Sequence, residues 1–429
     1  MSKISLNKFN FIFLHFFSFI IIFSLLYLFK VINLLPSLTN LLNWDAAYYF
    51  DISSNGYQSP YSDNHNTAFF PLFPFFIYLL KLNGITASIF NLILFYISLY
   101  LIFDTIKIRQ EYKLFIVSFP SFVFCFIPYT EGLFLFFSTL FLLGLYNKNI
   151  WYVIIGVLFS SITRTSSLVF IPAFIFLSVV DLIQKNKGNL KYYVTGIISS
   201  VLGTFIVYVI QYLQTGVWFA NFKVMKHWDR VFSIPSFKLT TWGEFNLLWL
   251  DSHSYLYFIV SILFISYIIY NLILKKNEII STNNSELYSF AYIVLIGLTV
   301  LLYSPKAYET YTTIFGLNRY VFCTAFFVFA IIYIHNSEYF INKIFIYLYV
   351  IAVALIFAQF YNFDNYFLLG QNIGKFSFKY FIYFIICAIY FAIPFTFKYL
   401  KKQYFLIFII NIFLQVYLFN LFINREWIG

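Results

Sequence analysis

"TAFFPLFPFFIYLLKLNG", residues 67–84, decides the fold. It is apolar enough to pass for a membrane span, and counting it as one reverses the direction of every helix after it. Pro71 and Pro74, together with a length below the ~20 apolar residues a spanning helix needs, favour a helix lying in the membrane interface. The loops downstream test the choice. "KIRQEYK" (107–113) has basic relatives in "QKNKGNLK" (184–191), Lys275–Lys276 and Lys398 with Lys401 and Lys402. Loops rich in Lys and Arg stay inside. With 67–84 at the interface they all share one side with Lys3 and Lys8; with 67–84 as a span, "KIRQEYK" and its downstream relatives all land opposite Lys3 and Lys8.

The expected architecture is therefore an all-α polytopic membrane protein of thirteen spans. They run roughly over 9–35, 86–103, 113–127, 131–147, 150–163, 166–184, 193–213, 255–274, 287–303, 320–335, 342–360, 378–399 and 403–424, with the N-terminus inside and the C-terminus outside. Composition agrees: the chain is 62% hydrophobic and 10% charged, with mean hydropathy +0.83, which excludes an ordinary soluble domain. Backbone groups in lipid must be paired within the segment, so the spans read as helices. The alternation of a barrel strand is absent. The first apolar run is long and lacks a small-residue cleavage pattern, so it reads as a retained helix. Cys125, Cys323 and Cys387 all lie in apolar runs without disulfide or zinc spacing. The wealth of Phe and Tyr against 15 Gly, with many Ile, Asn and Lys, fits an AT-rich prokaryotic genome and hence a plasma membrane.

On this topology 15 of the 27 basic residues but only 6 of the 16 acidic ones lie inside. The acids thus concentrate in the outer segments 36–85, 214–254, 304–319 and 361–377, where loops carry function. Three regions follow: 1–213, a transmembrane module with its first outer loop; 214–254, a large outer loop; and 255–429, the remaining spans. Two acids, Asp45 and Asp51, fall in "LLNWDAAYYFDISSNGY" (41–57), just after the first span.

The ordered stretches "NWDAAYYFDISSNGY" (43–57), "HNTAFFPLFPFFIYLL" (65–80), "FPSFVFCFIPYTEGLFLFFSTLFLLGLY" (119–146) and "ITRTSSLVFIPAF" (162–174) resemble the PIG-V-like branch of the GT-C glycosyltransferases. "FKVMKHWDR" (222–230) resembles its W-x-R element, and "FGLNRYVF" (315–322) its late R-Y element. The resemblance covers about residues 40 to 180 plus these two elements. It departs at Asn318, where a proline is common, and in the polar "SSNG" before Tyr57. It implies a GT-C-like bundle whose first outer loop holds interfacial helices. The implied activity is transfer of a single, mannose-like sugar from a polyprenyl-phosphate carrier to a lipid or glycan acceptor.

Such a transfer needs a carboxylate to take the acceptor's proton and cations to stabilise the leaving phosphate. Asp45 is the candidate base; its plain alternative is a helix N-cap before "AAYYF". Asp51, six residues on, reads as structural. Trp44 and Tyr48 could stack on sugar, or anchor the loop at the interface. Glu131 opens a helix, where the macrodipole favours an acid; it could instead bind acceptor or support Asp45. Arg164 and Arg319 enter spans at the outer face, where a charge suggests function and snorkelling competes. Arg230 and His227 lie in the large outer loop, where lipid headgroups compete. His65 and Asn66 precede the interfacial segment, Asn66 as a substrate contact and His65 as a surface residue.

No metal-ligand spacing stands out, although Asp45 and Glu131 leave a divalent ion open, and no cofactor is implied beyond the sugar donor. The expected partners are the bilayer, the lipid-linked sugar and its acceptor, not nucleic acid. Two rival readings stay open: a lipid-linked-sugar flippase or transporter, against which the absence of an internal repeat counts, and a polysaccharide polymerase or ligase.

Overall fold

The computed structural model describes residues 10–228, 230–235, 239–240, 245–274, 283–303, 312–336, 390, 393 and 403–428. In chain order the first helices are α1 (Asn10–Leu28), α2 (Asp45–Asn55), α3 (Leu72–Leu80), α4 (Gly84–Thr105), α5 (Gln110–Val117), α6 (Glu131–Tyr146), α7 (Ile150–Thr163), α8 (Phe170–Ile183), α9 (Leu190–Thr215) and α10 (Ala220–Val224). There follow the strand β1 (Leu239–Thr240), α11 (Phe245–Leu274), α12 (Asn284–Leu302), the strand β2 (Thr312–Thr313), α13 (Leu317–Phe322), α14 (Ala325–Asn336) and α15 (Tyr404–Ile423). Among the described residues, seven helical segments are long and apolar enough to cross a membrane, and α6, α7 and α14 are shorter apolar helices. Large apolar side chains such as Phe13, Phe17 and Ile21 on α1, and Ile198, Leu202 and Phe205 on α9, face outward. Water would not tolerate so continuous an apolar surface; a bilayer requires it.

The segment that opened the sequence reading is a helix of nine residues, α3. At 1.5 Å per residue it rises only about 13 Å, less than half of the hydrocarbon core. The expected spans 342–360 and 378–399 and the outer segment 361–377 lie outside the described residues, Tyr390 and Ile393 excepted. Four other expectations need correction. The first helix does not reach residue 35: it ends at Leu28, and the chain then turns, with Asn40 accepting from the Ser37 N–H at 2.7 Å and donating to the Leu35 carbonyl at 2.8 Å. The span 113–127 is broken, because Pro120 ends α5 and starts a 3-10 turn, Pro120–Cys125. The span 320–335 is two pieces, α13 and α14, with Ser138 Oγ accepting from the Ala325 N–H. At the other end of the large outer loop, α11 begins about ten residues before the expected 255.

Irregular backbone at membrane depth must find partners in neighbouring helices, and it does. Asn91 of α4 donates to the carbonyls of Ile127 and Tyr129, at 2.7 Å each. Gln415 of α15 donates to Val117 and Phe119, and Asn411 to the Ser118 hydroxyl. His15 of α1 bridges Gln415 and the Tyr96 hydroxyl at 2.8 Å each. These bonds hold the connection between α5 and α6 and so set where α6 begins.

Close helix packing holds the centre, where α6 lies against α4 and α7, and α7 against α9. A Cβ on Gly156 would run into the Phe141 backbone nitrogen, and one on Gly203 would stand 2.7 Å from the Leu158 carbonyl oxygen. Absent side chains let these backbones touch, the usual way apolar helices pack in lipid. The start of α6, the end of α7 and α13 meet at the end of the bundle where α2 lies. There β1 and β2 pair in parallel, Leu239 with Thr312 and Thr240 with Thr313, the one strand pairing among the described residues.

Candidate active site

Asp45 is the first residue of α2, and its neighbour Trp44 has a positive φ of 56°. No side chain caps this helix, so the capping alternative for Asp45 does not hold. Its carboxylate binds elsewhere: Oδ2 accepts from Arg319 Nη2 at 2.8 Å. Glu131, the first residue of α6 and fully buried, takes two arginines on one oxygen, with Arg319 Nε at 2.7 Å and Arg164 Nη1 at 2.6 Å from Oε1. Four residues that the sequence leaves far apart thus form one chain, Asp45–Arg319–Glu131–Arg164. Aromatic faces flank the cations. Arg319 lies 4.7 Å from the Tyr129 ring centre and 5.2 Å from that of Phe124, and Arg164 lies 5.0 Å from that of Tyr320. Such desolvated contacts strengthen cation–π attraction.

A cavity of about 150 Å³ opens on this chain. Asp45, Arg164, Arg230 and Arg319 line it, with Tyr49, Thr130, Tyr320 and Trp427. Asp45 keeps Oδ1 free of hydrogen bonds among the described residues, and its side chain is 19% exposed. Arg230 makes no ion pair among the described residues. Arg164 therefore differs from the simple phosphate ligand expected: part of its charge neutralises Glu131. The guanidinium of Arg319 fills the space between Asp45 and Glu131, so a metal ion bridging the two would have to displace it. Among the described residues no three of His, Cys, Asp and Glu stand close enough to hold a metal.

Other expected site residues are engaged away from the cavity. Asn66 is buried: its amide donates to Asp51 Oδ2 at 2.9 Å and to the Gly56 carbonyl, and its oxygen accepts from the Gln58 N–H. It pins the loop and does not line the cavity. Asp51 also accepts from Asn55 and Asn64 at 2.8 Å each. Partial burial raises its pKa, but the three amide donors outweigh that and hold it below the usual carboxylate value. It is a structural acid, as its sequence position suggested. Tyr48 stacks on Phe69 at 4.8 Å, and Trp44 meets Trp427 edge-on at 5.0 Å. His227 stacks on His65 at 4.3 Å. That stack joins the first outer loop to the large one, as does Asn221, which donates to the Thr67 carbonyl; Gln211 of α9 donates to the same carbonyl.

Several residues of the site were not singled out from the sequence. Tyr49 is buried, with its hydroxyl 3.2 Å from Thr130 Oγ1. Asp251 of α11 accepts on Oδ1 from the Asn318 N–H at 3.1 Å and from its side-chain amide at 2.7 Å. Both donors are Asn318's own, and a proline at this position would supply neither. Asn91 had a signal in the sequence, as a lone strong polar group in an apolar stretch; Asp251, in the polar run "DSHS" (251–254) of the expected outer loop, did not stand out. Trp427, after α15, had none.

No family model, no curated protein and no solved structure matches the chain.

Proposed function

We propose that this protein is an inverting glycosyltransferase of GT-C type. It moves one mannose-like sugar from a polyprenyl-phosphate carrier to a lipid or glycan acceptor at the extracytoplasmic face of a prokaryotic plasma membrane. The thirteen-span topology with an inner N-terminus belongs to this reading. The observation that carries it is the Asp45 carboxylate: one oxygen is fixed by Arg319, the other has no hydrogen bond among the described residues, and the residue lines a cavity that Arg164 and Arg230 also line.

The chemistry follows from that arrangement. The acceptor hydroxyl gives its proton to Asp45 Oδ1 as its oxygen attacks the anomeric carbon. The bond from that carbon to the phosphate oxygen breaks, and the phosphate leaves with the electron pair. One displacement inverts the anomeric centre. Arg230, which makes no ion pair among the described residues, is the best placed cation for the leaving phosphate, where a charge-assisted contact counts most. The charges balance for this donor. Arg164, Arg230 and Arg319 against Asp45 and Glu131 leave one net positive charge at the cavity, which suits the single negative charge of a phosphodiester-linked sugar. Arg319 orients Asp45, and Glu131 keeps both of its arginines in place.

The test incubates the purified protein in lipid with a panel of polyprenyl-phosphate sugars and lipid acceptors. Release of polyprenyl phosphate matched by glycosylated acceptor is expected. Donor binding and translocation without turnover would favour the flippase reading, and transfer of a whole glycan the polymerase reading.

A further inference from the structure

The helix that carries Arg319 is too short to hold itself. α13 has six residues and follows Gly316 at φ 71°. Its first-turn N–H groups have no partners within the helix. It packs on α12, α14 and the turn Pro120–Cys125, its Leu317 and Arg319 N–H groups bond back to Ile314 and Gly316, and two further attachments come from the large outer loop and the helix after it. Upstream, β2 pairs with β1 of that loop. At its first turn, Asn318 donates twice to Asp251, which is 1% exposed and lies early in α11. Both attachments belong to one continuous stretch of chain, 239–251, and Arg230, shortly before it, lines the cavity.

We propose that Asp251 is a positioning residue that acts on Asp45 through Asn318 and Arg319, so that seating of the large outer loop sets the geometry of the base. This rests on the transferase reading for its kinetic consequence but not for its mechanics. The next residue after Asn318 reaches two carboxylates at 2.7 and 2.8 Å. Hydrogen bonds of that length weaken steeply when displaced or tilted. A shift of α13 by even 1 Å would loosen Arg319 from Asp45 and let the carboxylate swing. The Asp251 carboxylate, bonded to both backbone and side chain of Asn318, resists that shift with charge-assisted bonds.

The experiment compares Asp251→Ala, Asp251→Asn and Asn318→Ala in the full chain, reading kcat, donor KM and Tm. Misplacement of a catalytic group should lower kcat about 10- to 100-fold in Asp251→Ala, with donor KM nearly unchanged. Asn318→Ala should reproduce that loss without adding to it in the double variant. Asp251→Asn keeps an oxygen that accepts from Asn318 and should recover most of kcat. Unchanged kcat in Asp251→Ala, or an equal loss in Asp251→Asn, would overturn the proposal. A second arm needs no turnover. Asp45→Asn should lower Tm in the wild-type background and lower it less when Asp251 is Ala, because Arg319 no longer grips. Equal decrements would overturn the positioning role even if no donor is ever turned over. An inactive wild type with unequal decrements would remove the transferase reading and leave the positioning intact.

Discussion

At the scale of the residue, the centre of the molecule is a buried charge chain whose members depend on one another. Glu131 is the keystone, because two guanidiniums share one of its oxygens. Removing one partner from a buried ion pair typically costs about 3–5 kcal/mol, since it strands the remaining charge. Glu131→Gln keeps the shape but not the charge, and should lower unfolding stability on that order, read by thermal melting in lipid; a melting point within a degree of wild type would show that Arg164 and Arg319 find other partners. Asp51 makes a milder prediction. Its native pKa is depressed, so it adds stability above the ordinary carboxylate pKa of about 3.9, and that stability fades as the pH falls through the native value. Melting curves taken downward from pH 6 should show a loss below about pH 4 that is smaller in Asp51→Asn. Asp45, Glu131, Arg164, Arg230 and Arg319 were all legible in the sequence, because a charge in an apolar chain is conspicuous. Their pairing was not, since residues 45, 131, 164 and 319 meet only in the fold. Asn66 misled because an amide beside a motif looks the same whether it faces a ligand or a neighbouring loop.

At the scale of the element, helices bounded by polar caps were read well and helices broken within an apolar run were not. Asn149 accepts from the N–H groups of Trp151 and Tyr152, and α7 begins at 150 as the sequence suggests. Residues 113–127 stay apolar through the Pro120 break, so hydropathy ran straight across it. The amides that make the break tolerable come from α4 and α15, far along the chain. Asn91→Leu should therefore hurt more than its apolar setting implies. It takes the amide donor from the Tyr129 carbonyl, at about 1–3 kcal/mol for a buried unpaired group, leaves the Ile127 carbonyl only the Tyr129 N–H, and frees the start of α6 that carries Glu131. Loss of both stability and transfer is expected, against loss of neither if water replaces the amide. Gly156→Val tests the packing of α6 on α7. Its Cβ would meet the Phe141 backbone well inside contact distance; backbone cannot yield as a side chain can, so the cost should be at least the ~1–3 kcal/mol of ordinary overpacking. Yield of folded protein in detergent reads it, and wild-type yield would mean that the helices can separate.

At the scale of the whole molecule, the reading of residues 67–84 as a short interfacial helix gives a topology in which every cavity-lining charge faces one side. Ser62→Cys and Lys187→Cys test it with a thiol reagent that cannot cross the membrane: the first should label from outside intact cells and the second should not. The reverse pattern would turn the molecule over. The most direct test of the central claim, that Asp45 is the base of a sugar transfer, is the turnover number of Asp45→Asn beside that of Asp51→Asn. Asparagine at 45 can still accept from Arg319, so the charge chain keeps its geometry, but it cannot take the acceptor's proton. General-base removal lowers rates about 100- to 10,000-fold. Asp45→Asn should fold, bind donor and transfer sugar that much more slowly, while Asp51→Asn keeps most of its activity. Near-normal transfer by Asp45→Asn, or a larger loss in Asp51→Asn, would contradict the assignment.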